Sequence, residues 1–226
     1  MNLLVLAAAD APMQISVGGG SSAVKLFLLM TALSFAAGAL ISITSFTRII
    51  IVMSFLRQAL GTPSLPPNQV VVALSLALTA FVMAPTFAKV NSAALSPYLE
   101  DQITGQQALD RGSAPVLEFL LKQTRPDDLR LFYELSGSAR PTRAEDVPLH
   151  IAVPAFMVSE LTTAFRMGLF LFIPLLLIDL LVSATLMALG MMMVPPTLVS
   201  LPLKVGIFLL ADGWHLLVQS LVRSFG

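Results

Sequence analysis

Apolar and polar positions alternate along this chain in long blocks. Residues 26–47 run for 22 positions without a charge, and residues 70–88 for 19. At about 1.5 Å per residue, each run is long enough to cross a hydrocarbon core as a helix. A polar stretch follows, and then two more apolar runs. Residues 167–190 carry only Asp179, and residues 198–222 carry Lys204, Asp212 and His215. The pattern predicts an all-α, membrane-associated protein of two long helical hairpins, 25–88 and 167–226. A polar, mainly helical insert over 89–166 separates them, and a flexible leader occupies 1–24.

Within the insert, Ser113 followed by Pro115 reads as a helix start, predicting a short helix over 114–123. Pro126-Asp127-Asp128 opens a second helix, whose Leu129, Leu131, Phe132 and Leu135 can cover the first. Residues 136–148 are rich in turn formers. From Pro154 the helical pattern runs on without a breaker until Pro174, which predicts one long kinked helix joining the insert to the third apolar run.

Charge sharpens this division. Of the 26 charged residues, 18 fall within 89–166, and the formal net charge of the chain is zero. With no basic excess to neutralise phosphates, nucleic acid is excluded as a partner. The chain has no Cys and only two His, so no disulfide, thiolate chemistry, metal site or cofactor is expected. Nucleophile-elbow, zinc-protease, dinucleotide and Walker patterns are all missing, and no enzyme activity is expected. His215 near Asp212 reads as a polar contact at a helix end, and Asp146 and His150 as solvated loop groups. Arg48 and Arg57, with no acid between 48 and 69, place the first hairpin tip on the cytoplasmic side and the insert outside. Residues 3–9 resemble a signal peptide only weakly, having no basic residue before them. Gly18-Gly19-Gly20-Ser21-Ser22 reads as a flexible joint.

The two hairpin tips are alike. Leu60-Gly61 is followed after four residues by Pro66-Pro67, and Leu189-Gly190 after four residues by Pro195-Pro196. The first tip is polar. The second carries Met191, Met192 and Met193, whose unbranched thioethers could close an opening and yield to side chains of many shapes. Asp179 and Lys204 fall at similar depths in their helices, about 18 and 12 Å from the second tip. They are expected to neutralise one another, by preference between adjacent subunits. Ser34, Gly38 and Ser42 recur every four residues, a small-residue face for close helix packing. On these residues alone a multi-pass transporter or a channel subunit for small solutes remains open.

Longer motifs narrow the choice. Thr44-Ser45-Phe46-Thr47-Arg48-Ile49-Ile50-Ile51-Val52, Leu56-Arg57-Gln58-Ala59-Leu60-Gly61-Thr62-Pro63, Ile178-Asp179-Leu180 and Asp212-Gly213-Trp214 are carried on this chain. With the run from Met187 to Pro196, they resemble the FliP/SctR family of bacterial type III export-gate proteins, and the flagellar branch in particular. The resemblance spans roughly residues 26–225. It implies a pore component in the inner membrane, partly periplasmic, assembled as a pentameric ring with FliQ-like and FliR-like subunits. FlhB- and FlhA-type components would be its neighbours, and unfolded rod, hook and filament proteins its cargo. It further implies that Arg125 and Glu160 lie where ring neighbours meet, as an intersubunit pair. In the same assembly the three methionines would line the narrowest part of the channel.

Overall fold

The computed structural model describes residues 19–139 and 141–226; the weak leader lies outside them up to residue 18. Among the described residues nine α-helices follow one another: α1 (Gly19–Ser42), α2 (Phe46–Leu60), α3 (Asn68–Val90), α4 (Ser96–Leu99), α5 (Gly105–Gln123), α6 (Pro126–Ser136), α7 (Leu149–Ala188), α8 (Thr197–Leu210) and α9 (Gly213–Arg223). A π-helical turn, Asn91–Leu95, links α3 to α4, and a 3₁₀ turn, Ala144–Asp146, precedes α7. No strand occurs among the described residues. Among the described residues three helical stretches are long and apolar enough to cross a membrane: Ala23–Ser42, Asn68–Leu99 and Leu149–Ala188. A fourth is possible if α8 and α9, bent 65° to one another, count as one broken span.

The chain divides into two compact units at residues 39 and 40. In the first, α1 presents large apolar side chains outward, Phe27, Leu33 and Phe35 among them. The second unit is built on α2 lying against α7. Ile49, Val52, Met53, Leu56, Ala59 and Leu60 recur at helical spacing on one face of α2, and all are buried. The facing side of α7 carries small residues at Ala152, Ala155, Ser159, Ala164 and Gly168, all buried, so the two backbones approach closely. The insert helices α5 and α6 pack on α7, and α5 also packs on α3. Leu117, Phe119, Leu120 and Tyr133 join that core.

Several expectations are corrected. Residues 48–69, read as a hairpin tip, are largely α2, because an arginine inside an apolar face does not end a helix when a partner is supplied. The helix expected over 114–123 begins at Gly105, capped by Thr104 and Gln107, each of which bonds the other's backbone N–H. Pro115 lies inside it. Gly19 to Ser22, read as a joint, form the first turn of α1. The fourth apolar run is broken at Ala211 and Asp212, where Asp212 adopts a left-handed φ of 51°.

At Gly168, α7 lies too close to Phe55 of α2 to carry a side chain. A Cβ added there would meet the Phe55 ring at 2.5 Å and its Cβ at 3.0 Å, while Phe55 also packs edge-to-face on Phe165 at 5.1 Å. Gly168→Ala should therefore destabilise the detergent-solubilised chain by about 1–3 kcal/mol in thermal unfolding. Phe55→Ala in the same chain should abolish that increment, and equal costs in both backgrounds would place the strain elsewhere.

Candidate functional site

The most buried ionic group sits at the first turn of α2. Arg48 is 2% exposed and Glu160, on α7, 0%. Arg48 Nε donates to Glu160 Oε2 at 2.9 Å, and Nη2 donates to Glu160 Oε1. Its Nη1 donates to the Ser224 carbonyl at 2.8 Å and to Ser224 Oγ at 2.9 Å, and Nη2 also donates to Gln123 Oε1 at 3.2 Å. All five guanidinium N–H groups are thus used, and the plane lies 3.8 Å from the Phe225 ring centre. Gln123 Nε2 in turn donates to the Phe225 carbonyl at 3.0 Å. One cation therefore ties α2, α5, α7 and the residues after α9. Such a pair is tolerable in the interior because every donor has an acceptor.

Arg125 and Glu160, expected to pair across a subunit boundary, each take a different partner within the chain. Arg125 instead donates to both Asp128 carboxylate oxygens, at 2.7 and 2.9 Å, and to Thr162 Oγ1 at 3.1 Å. Ser159 Oγ donates to Asp128 and accepts from the Arg125 backbone N–H. Burial acts to raise the Asp128 carboxyl, but hydrogen bonds from Arg125 and Ser159, with the charges of Arg125 and Arg166, outweigh it and hold the group below its ordinary value. Each acid on this face is thus paired with a different arginine. Glu160 faces α2, and Asp128 is three residues from Arg125.

At the other end of α2, Lys204 donates to the Ala59 carbonyl at 3.0 Å and to Asp179 Oδ2. Lys204 is buried and Asp179 half-buried. The two charges expected to neutralise one another do so within one chain here, where α7 and α8 run side by side from the second tip. One lysine so holds the last turn of α2, α7 and α8 together.

Both tips close in the same way. Thr62 N–H donates to Arg57 O and Gly61 N–H to Gln58 O; Met191 N–H donates to Leu186 O and Gly190 N–H to Met187 O. These are paired Schellman caps, with Gly61 at φ 77° and Gly190 at φ 75°. Pro66-Pro67 and Pro195-Pro196 then lead into α3 and α8. Between Gly190 and Pro195, Met192 is 85% and Met193 96% exposed, with Met191 at 44%. Of the small-residue face on α1, Ser34 Oγ donates to the Met30 carbonyl, and a Cβ on Gly38 would find open space.

Sequence reading missed Arg48, Gln123 and Ser224 as a network, having counted Arg48 as a loop charge. A helical reading of 46–60 would have found it, since residues 48, 52 and 56 share a face and an arginine on a buried face requires an acid.

Ionic clamps that serve as structural joints, apolar helices of membrane-spanning length and an exposed apolar tip define an all-helical, membrane-associated structural component. Comparison with known proteins specifies which. The chain belongs to the FliP family, whose profile matches residues 29–221. It is 50% identical over 205 residues to the flagellar biosynthetic protein FliP of Bacillus subtilis (strain 168), covering 91% of this chain and 93% of that one. It is 52% identical over 210 residues to the protein of that name from Pectobacterium carotovorum subsp. carotovorum, covering 92% and 81%. With that of Aquifex aeolicus (strain VF5) it shares 45% identity over 218 residues, covering 95% and 91%.

Removing one partner of the buried pair leaves an unpaired charge, so Arg48→Met should cost about 3–5 kcal/mol in thermal unfolding. Arg48→Met with Glu160→Leu should regain most of that loss. If the double variant were no more stable than the single one, an uncompensated Glu160 would not be the origin of the cost.

Asp128 gives a pH dependence of definite sign. Its carboxyl is depressed when folded, so its contribution is full above the ordinary value of 3.8 and lost as pH falls through the lower native value. Asp128→Asn should lower stability at pH 7 by about 1–3 kcal/mol and flatten the acid side of the stability curve. A parallel displacement of the whole curve would contradict this.

Proposed function

We propose that the chain is a subunit of the flagellar type III protein-export gate. In this reading it forms a ring, pentameric in the family it resembles, with FliQ-like and FliR-like subunits and next to FlhB- and FlhA-type components. It conducts unfolded rod, hook and filament proteins across the cytoplasmic membrane. The polar insert faces the periplasm and the two tips face the cytoplasm. Family membership supports the flagellar assignment. The observation that carries the gate reading is the second tip, where three thioethers stand exposed on a loop fixed at both ends.

A seal for an export channel must exclude water and ions at rest and part for chains of any sequence. Met side chains meet the second demand, because three rotatable bonds let each adapt to what passes. A ring of them meets the first, since an apolar constriction opposes ion passage by dewetting. The fixed ends matter as much. The cap at Gly190 and the Lys204 clamp hold the loop's base while its side chains move. Asp179, Lys204, Arg125 and Glu160 act here as joints, and the Ser34, Gly38 and Ser42 face is proposed to receive a neighbouring helix.

Replacing Met191, Met192 and Met193 together by Ala removes volume without adding charge. The detergent-extracted complex should keep its native mass, while cells carrying it should become permeable to small ions. A triple variant as ion-tight as the parent would assign the seal to another subunit. A native mass corresponding to a single chain would sink the ring itself.

A further inference from the structure

The second tip has a chemistry of its own. Residues 186–196 carry no polar side chain, and no charged residue occurs between 179 and 204. The first tip, by contrast, carries Thr62, Ser64, Asn68 and Gln69. A loop without hydroxyl, amide or ionisable side chains cannot change its polarity by protonation or phosphorylation. Its thioether sulfurs can, because a methionine sulfur that takes up one oxygen becomes a polar sulfoxide.

Position separates these sulfurs from the other methionines. Met53 and Met83 are buried in the core. Met30 and Met187 are exposed in the chain, but each sits on a helical stretch long and apolar enough to cross a membrane. Met192 and Met193 lie beyond the end of α7 and are the most exposed methionines among the described residues. The loop that carries them is held by main-chain bonds. Met191 N–H donates to the Leu186 carbonyl at 2.9 Å, Gly190 N–H to that of Met187 at 3.0 Å and Val194 N–H to that of Met191 at 3.3 Å. None of these uses a side chain, so an oxygen added to sulfur leaves the backbone of the loop in place and alters only the surface it presents.

We propose that Met192 and Met193, followed by the half-exposed Met191, are an oxidation site, and that their oxidation unseals the tip. The oxidant is a hydroperoxide, hydrogen peroxide being the simplest. A sulfur lone pair attacks one peroxide oxygen, and an S–O bond forms as the O–O bond breaks. The proton on the transferred oxygen passes to the departing hydroxide, giving sulfoxide and water. Sulfur loses two electrons and the peroxide gains them. Each sulfoxide places a hydrogen-bond acceptor where only apolar surface stood. Repeated around a ring, this turns a constriction that sheds water into one that holds it, and ions follow the water. One added oxygen changes the volume little and the polarity much, so the expected sign is leakage and not closure. A dithiol-dependent sulfoxide reductase restores the thioether and releases water. The modification needs only the exposed loop, whereas its effect on permeability rests on the export-gate reading.

The test uses the native complex, reconstituted into liposomes of saturated phosphatidylcholine and exposed to graded hydrogen peroxide. Peptide mapping by mass spectrometry should find Met192 and Met193 oxidised roughly tenfold faster than Met53 and Met83, and faster than Met30. Potassium efflux should rise in step with that oxidation. Treating the oxidised complex in detergent with reductases for both sulfoxide epimers, before reconstitution, should return efflux to its resting rate. Met191→Leu, Met192→Leu and Met193→Leu together keep apolar bulk without sulfur, so this variant should show no peroxide increment whatever its resting permeability. Oxidation of the tip no faster than that of Met53, or an equal increment in the Leu variant, would overturn the proposal. If the Leu variant fails to assemble, efflux that stays high after the sulfoxides are reduced would overturn it instead. Sulfoxide at the tip with unchanged efflux, while the triple Ala variant leaks, would also overturn it and leave the seal reading standing. A triple Ala variant as tight as the parent would overturn the seal reading and the unsealing with it.

Discussion

Burial of Arg48 is the constraint on which the second unit depends. A guanidinium removed from water must be given an opposite charge and acceptors for all its N–H groups, or the interior rejects it. Here the acceptors come from three places in the chain: Glu160 on α7, Gln123 on α5, and both the carbonyl and the hydroxyl of Ser224 after α9. None of these is near in sequence, the separations being 112, 75 and 176 residues. Hydrophobic contact alone would allow α2 to slide or rotate on α7 with little penalty. A fork of five directed bonds does not, so the register of α2 on α7 is set by one residue.

A second clamp makes the arrangement rigid along its length. Arg48 fixes one end of α2 and Lys204, through the Ala59 carbonyl, the other, about 16 Å apart at the helical rise. Between them the contact face is apolar and small-residue. Because Lys204 also holds Asp179, α7 and α8 are tied to the same strut about 12 to 18 Å below the methionine loop. The loop beyond it has a fixed start at Gly190 and a fixed exit at Pro195-Pro196, leaving only the side chains free. Stiffness below and deformability at the end are separate properties, supplied by charge pairing and by thioether chemistry respectively.

Hydrophobic pattern made the helical class, the polar insert and the long α7 legible, because block length and breaker position are written directly in the residues. The tip motif was legible for the same reason: a Gly at the end of an apolar run and a Pro-Pro pair four residues later specify how a helix stops and the next begins. Partner choice was not. Asp179 and Lys204 could be matched by depth, yet depth does not say whether the bond closes inside one chain. Arg125 and Glu160 were matched by position in a family, and that reading did not see that Asp128, one turn from Arg125, pairs with it inside the chain. Arg48 was hidden by the assumption that a charge ends an apolar segment. Pro115 and the break at Asp212 show the converse: a breaker can sit inside a helix, and a helix can break where only a backbone conformation marks it.

Internal satisfaction of these charges shapes what remains outside. With Arg48, Glu160, Lys204 and Asp179 consumed by one another, the outward faces of α7 and α8 present Phe165, Phe170, Leu177, Leu181, Leu198 and Leu210. A chain with that surface is not at home in water, since soluble monomers seldom expose apolar area so continuously. The same face is acceptable to acyl chains and to neighbouring helices, and the residues that discriminate between those two environments are the few polar ones left uncompensated. Small side chains leave room for a helix to approach, and a Cβ added at Gly38 on α1 would meet nothing within 4 Å. Hydropathy sums these positions into one number and loses the distinction.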